Sequence, residues 1–266
     1  MIPGPVKSLA RTVGLTRPRV AAARMACERA TLAVAGTRRE LPGGRILCYH
    51  SLGQPECGVN DVAPGRFRHQ IELALRLGYR FVPAATIAEG NGEPWDLAIT
   101  FDDGWRSVLD AAEPILRDHG IPWTLFVVSG WLDRPGTGPR GVLGWREIEA
   151  LASAGVEIGS HSVTHPDFGR IGADWAAEEL DASRRAIGAR LGIRPDSFAI
   201  PLGQSANWTP AAARAAQQAG YRIVYAQAVE TRPLGTVGRS FVTHFDNDLV
   251  FGALLKGAYD AWEEWT

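Results

Sequence analysis

Two short stretches bring together residue types that can activate water. In AITFDDGW, residues 98–105, an apolar run ends on two adjacent carboxylates, Asp102 and Asp103, followed by glycine. Ionised carboxylates are costly to desolvate, and they repel each other. A cation beside them removes that conflict, and so does a loop that turns both toward water. The second stretch is GSHSVTHPDF, with His161 and His165 four residues apart. On a helical turn this spacing puts two imidazoles on one face, close enough to share an ion. Two neutral imidazoles and one carboxylate leave a fourth position for water, the open arrangement of catalytic zinc and related ions. One aspartate would bind the ion, and the other would stay free as a base. Zinc suits such a ligand set, and cobalt or nickel suits it almost equally.

Alternating elements must position these residues. RILCYHSL, DLAITF, PWTLFVVSG, VEIGSHS, SFAIPLG, YRIVYAQ and VGRSFVTH read as strands, and RFVPA reads as a short strand or edge. Between them run amphipathic segments closed by glycine, such as PGRFRHQIELALRLGY before and through Gly78, and RSVLDAAEPILRDHG up to Gly120. TPAAARAAQQAG has Thr209 as its N-cap and Pro210 in its first turn. A long C-terminal segment, DNDLVFGALLKGAYDAWEEW, reads as the closing helix. Mostly apolar strands alternating with helices imply an α/β fold with a covered parallel sheet. About seven such units fit a single-domain (β/α)7 barrel over residues 41–266, preceded by a basic, helix-prone extension over 1–40. In such barrels the chemistry lies at the strand C-terminal ends. Asp102, Asp103 and both histidines are at such ends.

The two motifs in this order resemble the polysaccharide deacetylase family, carbohydrate esterase family 4, with its NodB-like domain. TFDDG (residues 100–104) matches the first motif and SHSVTH (residues 160–165) the second. ILCYHS resembles the subgroup with a Tyr-His strand ahead of the core domain. The resemblance implies a distorted seven-stranded (β/α) barrel and metal-dependent removal of acetyl groups from amino sugars. It makes Asp103, His161 and His165 the metal ligands and Asp102 the general base. The third motif ends here as FAIPLG, with Leu202 in place of the family's tyrosine. A backbone donor survives a change of side chain, so the Leu202 N–H keeps the oxyanion role. The arginine that orients the base in many relatives is absent, because its position is Ala199. Arg239 in VGRSFV is a substitute from another strand, unless it is a surface arginine. VTH gives His244 the pattern of the family's acid. His50 in CYHS is a second candidate acid, a substrate contact or a packed histidine. Trp131 and Trp208, in loop segments, are candidate sugar-stacking residues, and Asn60 and Asp61 are candidates for the rim of the mouth.

Bulk properties narrow the partners. The chain has 266 residues and a formal net charge of −1. No whole-molecule field points to nucleic acid. Cys27, Cys48 and Cys57 form no CxxC pair and no ligand spacing, which suggests a reducing compartment. No apolar run reaches the roughly 18 to 20 residues of a membrane span. No continuous signal-peptide core is present either, so the expected location is the cytoplasm. The basic arm (Lys7, Arg11, Arg17, Arg19, Arg24 and Arg29) would be a solvated or frayed extension, or a peripheral contact with an anionic membrane. The expected substrate is an N-acetylated sugar or glycoside. The alternative is a small non-sugar amide cleaved at the same site.

Overall fold

Arg45–Tyr49 and Asp96–Phe101 are buried at every position, as strands in a parallel sheet covered on both faces must be. The computed structural model describes residues 17–39, 41–132 and 139–262. Helix α1 (Arg17–Ala35) is followed by β1 (Arg45–Tyr49), β2 (Ser51–Leu52), β3 (Asp61–Val62), α2 (Pro64–Arg76), β4 (Arg80–Phe81), α3 (Ala84–Ala88) and β5 (Asp96–Phe101). A π-helical turn (Val108–Ala112) leads into α4 (Glu113–Asp118), β6 (Trp123–Val127), α5 (Ser129–Leu132), α6 (Trp145–Ser153) and β7 (Glu157–Ser160). The remainder is α7 (Ala173–Leu191), β8 (Ser197–Ala199), α8 (Pro210–Ala219), β9 (Ile223–Ala226), β10 (Val237–Gly238), β11 (Ser240–Phe241) and α9 (Asp248–Leu255).

The sheet runs β10-β9-β8-β7-β6-β5-β1-β11, with β4 beside β5, and every pair is parallel. Arg239 alone separates β10 from β11 in sequence. The two ends of this order are therefore one strand. Val237 and Gly238 pair with β9, while Ser240 and Phe241 pair with β1. This strand closes a seven-stranded barrel, and it does so over only two residue pairs on each side, hence the distortion. Ile46, Ala98, Phe126, Ala199 and Tyr225 come from five different strands and form one buried cluster. The Arg239 guanidinium lies over the rings of Phe126 and Tyr225, at 5.2 and 5.8 Å.

Three local expectations are corrected. The helix expected from 106 to 119 starts at 106–107 but is interrupted by the π-turn over Val108–Ala112 and is α-helical again from Glu113. Pro114 has no N–H to continue the earlier ladder. The closing helix is shorter than expected. Asn247 caps it, accepting from Val250 N at 3.1 Å, and the chain leaves it through Gly257 at φ 82°. Third, Arg29 is neither solvated nor available to a membrane. It is fully buried and donates to both oxygens of Asp246 at 2.7 and 2.5 Å. Tyr259 Oη donates to the Arg29 carbonyl at 2.6 Å, and α1 packs against α9. Lys7 and Arg11 lie outside the described residues. No described helix is long and apolar enough to cross a membrane.

Candidate metal centre

Asp103, His161 and His165 converge at the C-terminal mouth of the barrel, Asp103 from the end of β5 and the histidines from the loop after β7. Asp103 Oδ1 stands 3.6 Å from His161 Nε2 and 3.6 Å from His165 Nε2. These separations are too long for hydrogen bonds. Two atoms bound to one tetrahedral ion at roughly 2.0 to 2.2 Å stand about 3.4 Å apart. The spacing thus suits three atoms arranged around a shared cation.

Surrounding groups orient each of the three side chains. Trp105 Nε1–H donates to Asp103 Oδ2 at 3.0 Å, leaving Oδ1 to face the histidines. His161 Nδ1–H donates to the Ala199 carbonyl at 2.8 Å, which puts the free lone pair on Nε2. Burial pushes the His161 pKa down to about 4, against the pull of Asp102, so the ring is neutral, as a ligand must be. The His165 ring stacks on Trp131 at 5.7 Å.

The two histidines are not on a helical turn. Ser162 and His165 have φ of 71° and 61°, so the four-residue spacing is bridged by a loop. Asp103 at 73° and Leu202 at 66° complete the set of non-glycine residues with positive φ among the described residues. All four belong to this site. Such backbone costs on the order of 1–3 kcal/mol per residue and persists only where its surroundings enforce it.

Beside this cluster, Asp102 is 3% exposed and Arg239 1%. Arg239 Nη1 and Nη2 donate to Asp102 Oδ1 and Oδ2, both at 2.7 Å, and Nη1 also donates to Thr100 Oγ1 at 3.1 Å. This is a two-pronged pair, the strongest common geometry for arginine and carboxylate. Burial pushes the Asp102 carboxyl up, but Arg239 and then His161 outweigh it and hold it well below the usual carboxylate range. The Arg239 partnership follows from barrel closure, since its strand crosses between β9 and β1 at that residue.

The polysaccharide deacetylase family model matches residues 89–224, just over half of the chain, and spans the whole Asp-Asp-Gly and His-x-x-x-His set. The chain belongs to the polysaccharide deacetylase family. A chitooligosaccharide deacetylase of Sinorhizobium fredii is 32% identical over 100 residues, covering 37% of this chain and 41% of that protein. The uncharacterized protein YlxY of Bacillus subtilis is 28% identical over 118 residues, 44% of this chain and 34% of that protein. The chain thus spans well under two thirds of the length of either relative. The solved structure of IcaB from Ammonifex degensii superposes with a TM-score of 0.69 at 22% identity, over 84% of this chain and 99% of that one, and shares the fold.

His50, Arg239 and His244 lie outside the span of the polysaccharide deacetylase model. A cavity of about 180 Å³ is lined by Asp103, His161, His165, Asp102, His50 and Leu202. A neighbouring one of about 470 Å³ shares His50, Asn60 and Asp103 and extends to Glu56 and Arg140. Asn60 therefore sits at the mouth, whereas Asp61 is buried, accepting from Ser51 Oγ at 2.9 Å and Gln54 N at 2.8 Å. His244 is outside this cavity. It is exposed, with Nδ1 3.1 Å from the Gly58 carbonyl and its ring against Phe245, because the chain turns outward after β11. Trp208 is also misplaced as a sugar contact. Its ring is 7% exposed and stacks on Phe198 at 5.6 Å, filling the core beside α8. Sequence reasoning overlooked Cys48, whose Sγ lies 3.4 Å from Asp102 Oδ2. Its place at the end of β1, one strand from Asp102, was the available signal.

Proposed function

We propose that this chain is a metal-dependent deacetylase that hydrolyses the acetyl amide of an N-acetylated sugar or glycoside. The observation that carries the reading is the convergence of Asp103, His161 and His165 beside the buried Asp102–Arg239 pair. The donor set suits zinc, and cobalt or nickel almost equally. When bound, such an ion supplies a water of lowered pKa and polarises the acetyl carbonyl. Asp102, ionised throughout the neutral range, accepts the proton lost as water attacks. The Leu202 N–H carries no hydrogen bond to another described residue, and its side chain is half exposed at the cavity. It is the donor for the developing oxyanion.

The acid that protonates the leaving nitrogen is His50. Its ring lines the cavity, and its Nδ1 is buried with no hydrogen-bond partner among the described residues. His50→Ala should slow cleavage of acetamides by about 10² to 10⁴-fold. It should affect activated acetyl esters less, because an alkoxide needs less help to leave. His244→Ala should leave both activities near wild type. If the effects are reversed, His244 is the acid.

Arg239 sets the protonation of the base. With Arg239→Gln the cation is gone and burial still favours the neutral acid, so the Asp102 pKa rises. Activity needs the ionised form, so the acidic limb of the kcat/KM profile moves to higher pH. Arg239→Lys keeps the charge but loses the fork, and the limb should move less. A limb that stays put in both folded variants rejects this role. The functional reading itself is tested by acetate release from N-acetylated sugars, chitooligosaccharides and small acetamides by zinc-loaded protein. Release from sugars supports it. Release from small amides alone replaces it with a non-sugar amidohydrolase.

A further inference from the structure

One buried carboxylate reaches the loop between the two histidines from outside and takes the amides at its midpoint. Glu179 of α7 is 4% exposed. Its Oε2 accepts from two consecutive loop amides, Val163 N and Thr164 N, both at 2.9 Å. Its Oε1 accepts from Thr164 Oγ1 at 2.7 Å and from Trp175 Nε1 at 3.3 Å. All four bonds have the carboxylate as acceptor, and three reach the segment whose ends are His161 and His165. Within that segment Ser162 is left-handed, His165 is left-handed, and Ser162 Oγ accepts from His165 N at 2.9 Å. A short loop with two left-handed non-glycine residues does not keep this shape unaided. Val163 is half-buried and Thr164 exposed, so burial alone does not fix this stretch, and Glu179 supplies one acceptor for both amides at the midpoint of the loop.

We infer that Glu179 is a positioning residue that preorganises His161 and His165 for the metal. It touches neither the ion nor the substrate, and acts through the backbone at 163 and 164. The inference rests on the proposed metal-dependent function, because it concerns how two of the three ligands are presented. Other anchors hold the loop elsewhere. Ser129 N and Gly130 N donate to the Ser162 and Val163 carbonyls, both at 3.0 Å, and Ser160 Oγ accepts from Ser162 N at 3.4 Å, but none of these takes the Val163 or Thr164 N–H.

The test is zinc affinity by competition with a chromophoric chelator, paired with hydrogen exchange on metal-free protein. Glu179→Ala removes every acceptor, and zinc should bind about 10 to 100-fold more weakly, the usual cost of losing an outer-shell partner. In the metal-free variant the Val163 and Thr164 amides should exchange faster, while those of β5 and β6 keep wild-type protection. At saturating zinc, kcat should recover most of its value and KM should be unchanged. Glu179→Gln keeps the shape and one good acceptor, so its affinity should fall in between. If Glu179→Ala does not fold, Glu179→Gln combined with Thr164→Val carries the test, with the same weakening of zinc binding expected. Wild-type zinc affinity in a folded variant, with unchanged exchange at 163 and 164, overturns the inference. Wild-type protein that binds no zinc would instead reject the metal reading on which it rests.

Discussion

Asp102→Asn is expected to bind zinc with near wild-type affinity and to lose about 10² to 10⁴-fold in kcat, the usual contribution of a positioned base. Asparagine matches aspartate in shape and still offers Arg239 one acceptor oxygen, so the mouth of the barrel should keep its geometry. What it lacks is a basic oxygen to take the proton of the attacking water. Because the arginine would remain buried with half of its pairing lost, a modest drop in thermal stability is also expected. Steady-state kinetics on an N-acetylated chitooligosaccharide, with metal content measured on the same sample, separates the two effects. Parallel loss of metal and turnover would mean that Asp102 is the ligand and Asp103 the base.

Asp103→Asn should fail at the earlier step. Asparagine tolerates the left-handed backbone that position 103 adopts, at φ 73°, and its carbonyl oxygen can keep the hydrogen bond from Trp105. The substitution therefore removes one thing, the anionic oxygen that faces both histidines. Zinc affinity should fall by at least about 100-fold, beyond the range typical of outer-shell changes. At micromolar metal, acetate release should drop to the uncatalysed background. Restoration of activity by excess zinc would follow the measured affinity. Full activity at low metal would show that the three-residue centre is not the one used.

The candidate site was legible because its motifs are local. TFDDG and SHSVTH sit at strand ends that the apolar pattern marks, and the alternation of strand and helix gave barrel polarity. How the histidines meet was not legible. A spacing of four is the helical signature, and nothing local reports the sign of φ at Ser162 or His165. That geometry depends on Glu179, which approaches from the following helix. Arg239 was expected beside Asp102 as a substitute for the arginine missing at Ala199, and what the sequence did not report is that barrel closure brings it there. Arg29 misled for the opposite reason. A basic residue in a polar helix normally faces water, and its burial depends on Asp246, 217 residues away. Trp208 and His244 were placed by motif and loop context. Their positions depend instead on an aromatic cluster and on the direction in which the chain leaves β11.

The most direct test is a crystal structure of zinc-loaded protein with anomalous data collected across the zinc edge. One peak is predicted at the mouth of the barrel, roughly 2.0 to 2.2 Å from Asp103 Oδ1, His161 Nε2 and His165 Nε2, with Asp102 still paired to Arg239 beside it. No peak at that position in protein shown to contain zinc, or three side chains turned away from a common point, would contradict the account.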